Sequence, residues 1–221
     1  MEYTTIHLMR HGEVDNPQGI LYGRLPGYGL TERGQQMAQA AADFLVSGQC
    51  DIAKIVASPL LRAQQSAVPA ASAFAVSIET DQRLMEAGNI FEGMPVRGNL
   101  WEMAAPKWWK YYVDPMRPSW GEPYVQIAER MAAVVSEVID QVSGREALLV
   151  THQSPIVALR RFVERQPLGH LPTRRQCSLA SLTSLSFLGH TLVGLSYQEP
   201  ALPLLSDAYD MVPGQSAAQQ R

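Results

Sequence analysis

Two histidines and two arginines stand where short apolar runs give way to loops. Arg10-His11-Gly12-Glu13 follows the run ending at Met9, His152 follows Leu149-Val150-Thr151, and Arg62 lies just beyond Val56-Ala57-Ser58. In open α/β sheets, ligands bind outside the carboxyl ends of the strands. Two imidazoles and two guanidiniums converging on one such crevice suit an anion, most readily a phosphoryl group, because a guanidinium can meet two of its oxygens at once. His11 is the candidate nucleophile. A neutral imidazole nitrogen can attack phosphorus and form a phosphohistidine, provided the other ring nitrogen is held by a backbone carbonyl. Arg10 and Arg62 would then hold the nonbridging oxygens, with His152 as a further donor. On these residues alone, the competing reading is a pair of buried, hydrogen-bonded core histidines.

Such a constellation needs strands to carry it. Thr4 to Met9 reads as a buried strand, followed by a Gly- and Pro-containing loop from Gly12 to Gly29. Thr31 caps a helix to about Val46, with Glu32 in the first turn, where the helix dipole favours a negative charge. Ile52 to Ala57 is the next strand, Ser58-Pro59 opens a helix carrying Arg62, and Phe74 to Ile78 reads as a short third strand. Glu122 to Val142 is a long amphipathic helix, Ala147 to Val150 a strand, and Ser154 to Val163 a helix behind it. Leu179 to Tyr197 reads as an antiparallel hairpin turning at Gly189-His190. The alternation predicts an α/β fold in three layers: a mostly parallel central sheet flanked by helices, with an antiparallel edge.

Residues 90–124 break the rhythm as an aromatic-rich insertion, with a helix expected from roughly Asn99 to Val113. All four tryptophans lie there: Trp101, Trp108, Trp109 and Trp120. They form either a satellite core over the sheet or a lid and substrate wall. One domain is expected over residues 1–205, and the polar, Gln- and Ala-containing stretch 206–221 is expected to fray as a flexible tail.

Composition narrows the function classes. The chain has 221 residues, 46% apolar and 18% charged, enough for one domain with a full core. A net charge of -3 without a concentrated basic surface argues against nucleic acid or an anionic membrane as partner. No apolar run is long enough to span a bilayer, and the first residues do not read as a signal segment, so none is expected. Cys50 and Cys177 are the only cysteines, which makes a disulfide scaffold unsuitable and a reduced, cytoplasmic setting the expectation. A homodimer is open, since composition offers nothing for or against it. No convincing metal-ligand cluster emerges and no cofactor is expected; His7 reads as a core residue, His170 and His190 as peripheral.

Met9-Arg10-His11-Gly12-Glu13 resembles the signature of the histidine phosphatase (phosphoglycerate mutase-like) superfamily. Leu30-Thr31-Glu32-Arg33-Gly34-Gln35 is similar to the family's next helix opening, and Ser58-Pro59-Leu60-Leu61-Arg62-Ala63 to its second-arginine motif. Arg83-Leu84-Met85-Glu86, followed by Phe91-Glu92-Gly93, resembles the acid-bearing segment, and Thr151-His152 falls at the second histidine. These blocks occur in order from about residue 4 to 195. The resemblance implies that His11 is phosphorylated, that Arg10, Arg62 and His152 bind the phosphoryl group, and that Glu86 protonates the leaving oxygen before activating water. It also implies a polar phosphate or substrate contact at Asn16, and no metal requirement.

The chain departs from many relatives in having Gln153 after the second histidine, where a side chain bears on substrate choice. Tyr22 and Arg24 either line an outer pocket for a negatively charged or sugar-like group, or are a packed tyrosine and a solvated arginine. The expected activity is metal-independent hydrolysis of a phosphomonoester on a small soluble metabolite. The alternatives are mutase-type phosphoryl transfer and a non-catalytic phosphoryl-binding protein.

Overall fold

The computed structural model describes residues 3–95, 105–111, 121–170 and 175–211. Its centre is strand β1 (Tyr3–Arg10), which is buried on both faces. Ile6 and Leu8 point to one side, His7 and Met9 to the other, so the strand reads as a nearly continuous apolar run, as interior strands of parallel sheets do. Helix α1 (Glu32–Ser47) follows, then β2 (Ile52–Ala57), α2 (Leu61–Phe74), β3 (Ile78–Thr80), α3 (Tyr124–Val142), β4 (Glu146–Thr151), α4 (Gln153–Val163), β5 (Leu182–Leu188) and β6 (Thr191–Gln198). The six strands lie in the order β3-β2-β4-β1-β5-β6. The first four are parallel to one another, and β5 and β6 complete an antiparallel edge.

Two apolar layers sandwich this sheet, giving the expected three-layer arrangement. Met9, Ile55, Leu148 and Val150 pack under Met37, Ala41 and Leu45 of α1 and Ala63 and Ala67 of α2. On the opposite face, Ile6, Leu8 and Leu149 meet Met131, Val135 and Val138 of α3 and Ile156 of α4. Each large apolar side chain fully buried in these layers stabilises the fold by about 1.5–3 kcal/mol. No helix among the described residues is long and apolar enough to cross a membrane.

The expected third strand sits later in the chain. The Ala- and Gln-bearing run continues as helix through Phe74, and Ala75 ends it in a left-handed conformation, φ 53°, with its N–H on the Ala71 carbonyl. Phe74 and Val76 pack against the α1–α2 layer rather than forming a ladder, and β3 begins at Ile78. The helix expected over Asn99 to Val113 lies partly outside the described residues; within them, Pro106–Tyr111 is a 3₁₀ turn. Trp108 there meets Phe91 edge-on, with ring centres 5.1 Å apart. Of the stretch from 206, residues 206–211 are described, and they make polar contacts with the signature loop and α1. Arg33 donates to the Asp207 carbonyl at 2.5 Å, the Tyr209 N–H donates to Glu13 at 2.7 Å, and Asp210 pairs with Arg10. These contacts are polar, so they leave no apolar pattern in the sequence.

Candidate active site

The carboxyl ends of β1, β4 and β2 lie side by side. The His11 N–H donates to the Thr151 carbonyl at 3.1 Å, and the Ser58 N–H to the Val150 carbonyl at 2.9 Å. Sheet register therefore brings together three residues that are distant in sequence: His11, His152 and Ser58. The two imidazole rings sit 5.2 Å apart, inclined at 59°. Both are buried.

His11 is fixed by its own loop. Its Nδ1 lies 2.8 Å from the Gly12 carbonyl. A carbonyl only accepts, so Nδ1 carries the proton and Nε2 keeps its lone pair. Burial above all, then the charges of Arg62 and Arg10, hold its pKa well below the usual histidine range. The ring is a neutral base with its lone pair on Nε2.

Close backbone packing shapes that loop. A Cβ on Gly12 would fall 2.3 Å from the Gly34 carbonyl oxygen, and one on Gly34 would fall 2.1 Å from the Glu13 oxygen. The Gly12 N–H donates to Ser66 Oγ at 3.1 Å. Thr31 caps α1 by accepting from the Gly34 N–H at 2.9 Å, and its hydroxyl donates to Glu13 at 2.6 Å. Glu13 also takes the Tyr209 N–H, so its carboxylate ties the signature loop, α1 and the C-terminal stretch together.

His152 uses Nε2 to meet the Ser58 hydroxyl at 2.8 Å. Its buried Nδ1 has no hydrogen-bond partner among the described residues. Burial first, then Arg62, His11 and Arg10, keep this ring neutral as well, with a pKa well below the usual value. A Ser58 hydroxyl donating to Nε2 leaves the ring proton on Nδ1, as an anion donor requires.

The two arginines present a similar pattern. Arg62 is 1% exposed, donates through Nη2 to the Gly23 carbonyl at 2.6 Å, and lies over the Tyr22 ring at 4.7 Å. Arg10 donates through Nη1 to the Cys177 carbonyl at 2.7 Å, and grips Asp210 through both terminal nitrogens at 2.6 and 2.7 Å. Burial opposes the Arg10 charge, but Asp210 more than offsets it, and the pKa is raised. Neither Nε has a partner among the described residues. Two arginine Nε atoms and one imidazole Nδ1 are thus buried donors that no described protein group satisfies, and an oxyanion is the chemistry that would satisfy them.

Glu86 is half-buried and near enough to Arg62 and Tyr22 to interact with both electrostatically. Its Oε1 accepts the Ala87 N–H at 2.7 Å. Tyr22 is buried, and burial chiefly pushes its phenol up to about 12, so it stays protonated. Arg24 is not a freely solvated side chain: Nε donates to the Glu86 carbonyl at 2.6 Å and Nη2 to Glu122 at 2.8 Å. Glu122 is also held by Arg130 at 2.8 Å, making a braced wall. Asn16 clamps its loop through Ile20, its Nδ2 donating to the carbonyl at 2.8 Å and its Oδ1 accepting the N–H at 3.0 Å. Gln153 is buried and accepts from Arg175 at 3.1 Å.

Ser58, Glu122 and Asp210 were not singled out as site residues by sequence. In the sequence Ser58 signals only a helix opening, and its partner follows a different strand. Asp210 lies 200 residues from Arg10. Among the described residues, the one cluster with metal-ligand spacing is His7, Cys50 and Glu146. Glu146 opens β4 and Cys50 precedes β2, so this cluster belongs to the amino end of the sheet.

Known proteins share this architecture. The chain is 45% identical over 200 residues to the uncharacterized protein Rv0525 of Mycobacterium tuberculosis, covering 90% of this chain and 98% of that one. The solved structure of Bacillus stearothermophilus YhfR superposes with a TM-score of 0.72 at 25% identity, over 86% and 94% of the two chains. The mycobacterial glucosyl-3-phosphoglycerate phosphatase Rv2419c superposes at 0.70 and 25% identity, over 90% and 98%; it has also been solved with VO3. The model of the histidine phosphatase superfamily (branch 1) matches residues 6–199. With that match over most of its length, the chain belongs to branch 1 of the histidine phosphatase superfamily and is a hydrolase of that type.

Proposed function

We propose that this protein hydrolyses a phosphomonoester of a small soluble metabolite, without a metal, through a phosphohistidine at His11. The observation that carries the reading is the His11 Nδ1 bond to the Gly12 carbonyl at 2.8 Å in a ring kept neutral by burial and by Arg62 and Arg10. That combination supports Nε2 as the nucleophile. In the first step Nε2 attacks phosphorus, the P–O bond to the alcohol breaks, and Glu86 gives its proton to the departing oxygen. In the second, Glu86 takes a proton from water, whose oxygen attacks the phosphohistidine and releases phosphate and neutral His11. Arg10, Arg62 and His152 hold the nonbridging oxygens throughout, using buried donors that have no other partner among the described residues.

A metabolite-sized substrate is supported by the likeness to glucosyl-3-phosphoglycerate phosphatase. Tyr22, Arg24 and Gln153 form the outer wall, and the remaining N–H of Asn16 Nδ2 adds a donor beside the phosphoryl group. The test is phosphate release from a panel of phosphorylated metabolites, with chelator present, comparing the intact protein with His11→Ala. Release by the intact protein alone, with an acid-labile phosphoryl group trapped on His11, is the expected result. Interconversion of phosphoglycerates without net release would replace hydrolysis by mutase chemistry, and turnover surviving His11→Ala would overturn the nucleophile.

A further inference from the structure

His7 lies on β1, the strand that pairs in parallel with β4 and antiparallel with β5, and is buried although it belongs to no part of the phosphatase chemistry. Its Nε2 meets Glu146 Oε2 at 2.7 Å, and its Nδ1 meets Ser184 Oγ at 2.8 Å. The third member is Cys50, between α1 and β2. One ligand atom from each of His7, Cys50 and Glu146 falls within 4.8 Å of the other two. An imidazole, a thiol and a carboxylate are thus gathered from three separate segments at the end of the sheet away from His11.

We propose that His7, Cys50 and Glu146 form a binding site for a borderline-soft divalent cation of the Zn²⁺ type, separate from the phosphatase site.

The donor set selects the ion. Zn²⁺ and Co²⁺ accept nitrogen, thiolate sulfur and carboxylate oxygen together, whereas Mg²⁺ and Ca²⁺ prefer oxygen alone. Ligand bonds of about 2.0–2.3 Å bring ligand atoms to within a few ångströms of one another. The three lie within 4.8 Å, and the His7–Glu146 hydrogen bond of 2.7 Å would open to admit the ion between them. Ser184 supplies the outer support that a metal-binding imidazole commonly has: with Nδ1–H donating to its hydroxyl, Nε2 is left with a lone pair for the ion. The same hydroxyl can instead donate to Nδ1 when Nε2–H bonds Glu146. Ser184 therefore accommodates His7 both with the cation and without it. On binding, the Cys50 S–H bond gives way to an S–metal bond and its proton leaves to solvent. Cys50 and Glu146 are only half-buried, so ion and water can enter, and water completes the coordination.

The ion would cross-link β1, the α1–β2 connection and β4. Its effect falls on stability rather than turnover, since His7 precedes His11 by four residues, or about 13 Å of strand. The test uses the full chain, stripped with chelator, dialysed under reducing conditions and titrated with Co²⁺. The expected result is a near-ultraviolet thiolate-to-cobalt charge-transfer band that saturates at a single equivalent and is displaced by Zn²⁺. The band should vanish in Cys50→Ser, weaken in Glu146→Gln and persist in Cys177→Ser. At a hundredfold excess over its Kd, Zn²⁺ should raise Tm by roughly 5–10 °C in the intact protein and leave Cys50→Ser unmoved. Absence of the band, or a band that survives in folded Cys50→Ser, would overturn the site. Phosphatase activity in chelator is read separately.

Discussion

Asp210 closes both terminal nitrogens of Arg10, at 2.6 and 2.7 Å, so the guanidinium of the signature motif is left with Nε as its one nitrogen lacking a partner among the described residues. The carboxylate fixes how the arginine can face an oxyanion and also offsets part of its charge. Asp210→Asn should lower kcat/KM by about 10–100-fold, because a small misplacement of a binding group is costly to the transition state. It should also tighten inhibition by inorganic phosphate, since Arg10 regains the charge that Asp210 offsets. Steady-state kinetics with a phosphate inhibition series decides this; unchanged kinetics in both respects would remove Asp210 from the site.

Ser58→Ala deletes the hydroxyl that holds His152 Nε2 and frees that ring to take the other tautomer. We expect kcat to fall about 10-fold or more, while Ser58→Thr, which retains the hydroxyl, recovers part of the loss. A nitrogen-detected NMR measurement of the ring tautomer, run beside the kinetics, separates lost orientation from a general loss of fold.

Glu86→Gln should divide substrates by leaving group. Alkyl phosphates need a proton on the departing oxygen and should slow by about 10²–10⁴-fold, whereas activated aryl phosphates need little help in the first step. Burst kinetics on an aryl phosphate should then show fast release of the phenol followed by slow loss of phosphate from His11. Equal losses on both substrate classes in the first step would refute the acid assignment.

The two site histidines also set a stability profile. Both pKa values are held well below the unfolded reference of about 6.5, chiefly by burial. Below that reference the unfolded chain takes up protons that the native site refuses, so stability is full above about pH 6.5 and declines as pH falls toward the folded values. Each histidine contributes at most a tenfold change in the folding equilibrium per pH unit in that window. Denaturant titrations across the acid range should show this slope, and His152→Asn should reduce it by the share of one proton.

Much of this was legible in the chain. The β1, β2 and β4 runs are apolar enough to be placed within a residue or two, and the strand-end positions of His11 and His152 foretold their meeting. Phe74 misled because its aromatic ring and the nearby Val76 favour a strand, while packing on α1 keeps the helix going and delays β3 to Ile78. In the sequence Ser58 signals only a helix opening, because its pairing with His152 depends on which strand lies beside which. Asp210 was hidden for a related reason: its stretch is held by an ion pair and backbone bonds, which leave no apolar period to detect.

The contact between Gly12 and Gly34 carries a consequence for variation. Each lies so close to the other's segment that even a methyl group would meet backbone at 2.3 or 2.1 Å, and backbone cannot swing aside as a side-chain tip can. In a saturation library these two positions should therefore tolerate no replacement, although neither offers a side chain to substrate. Sequence drift would be permitted along the solvent-facing remainder of α1 but blocked at its first turn, and the two sites would have to change together with a shift of the whole helix, a step no single nucleotide substitution can supply.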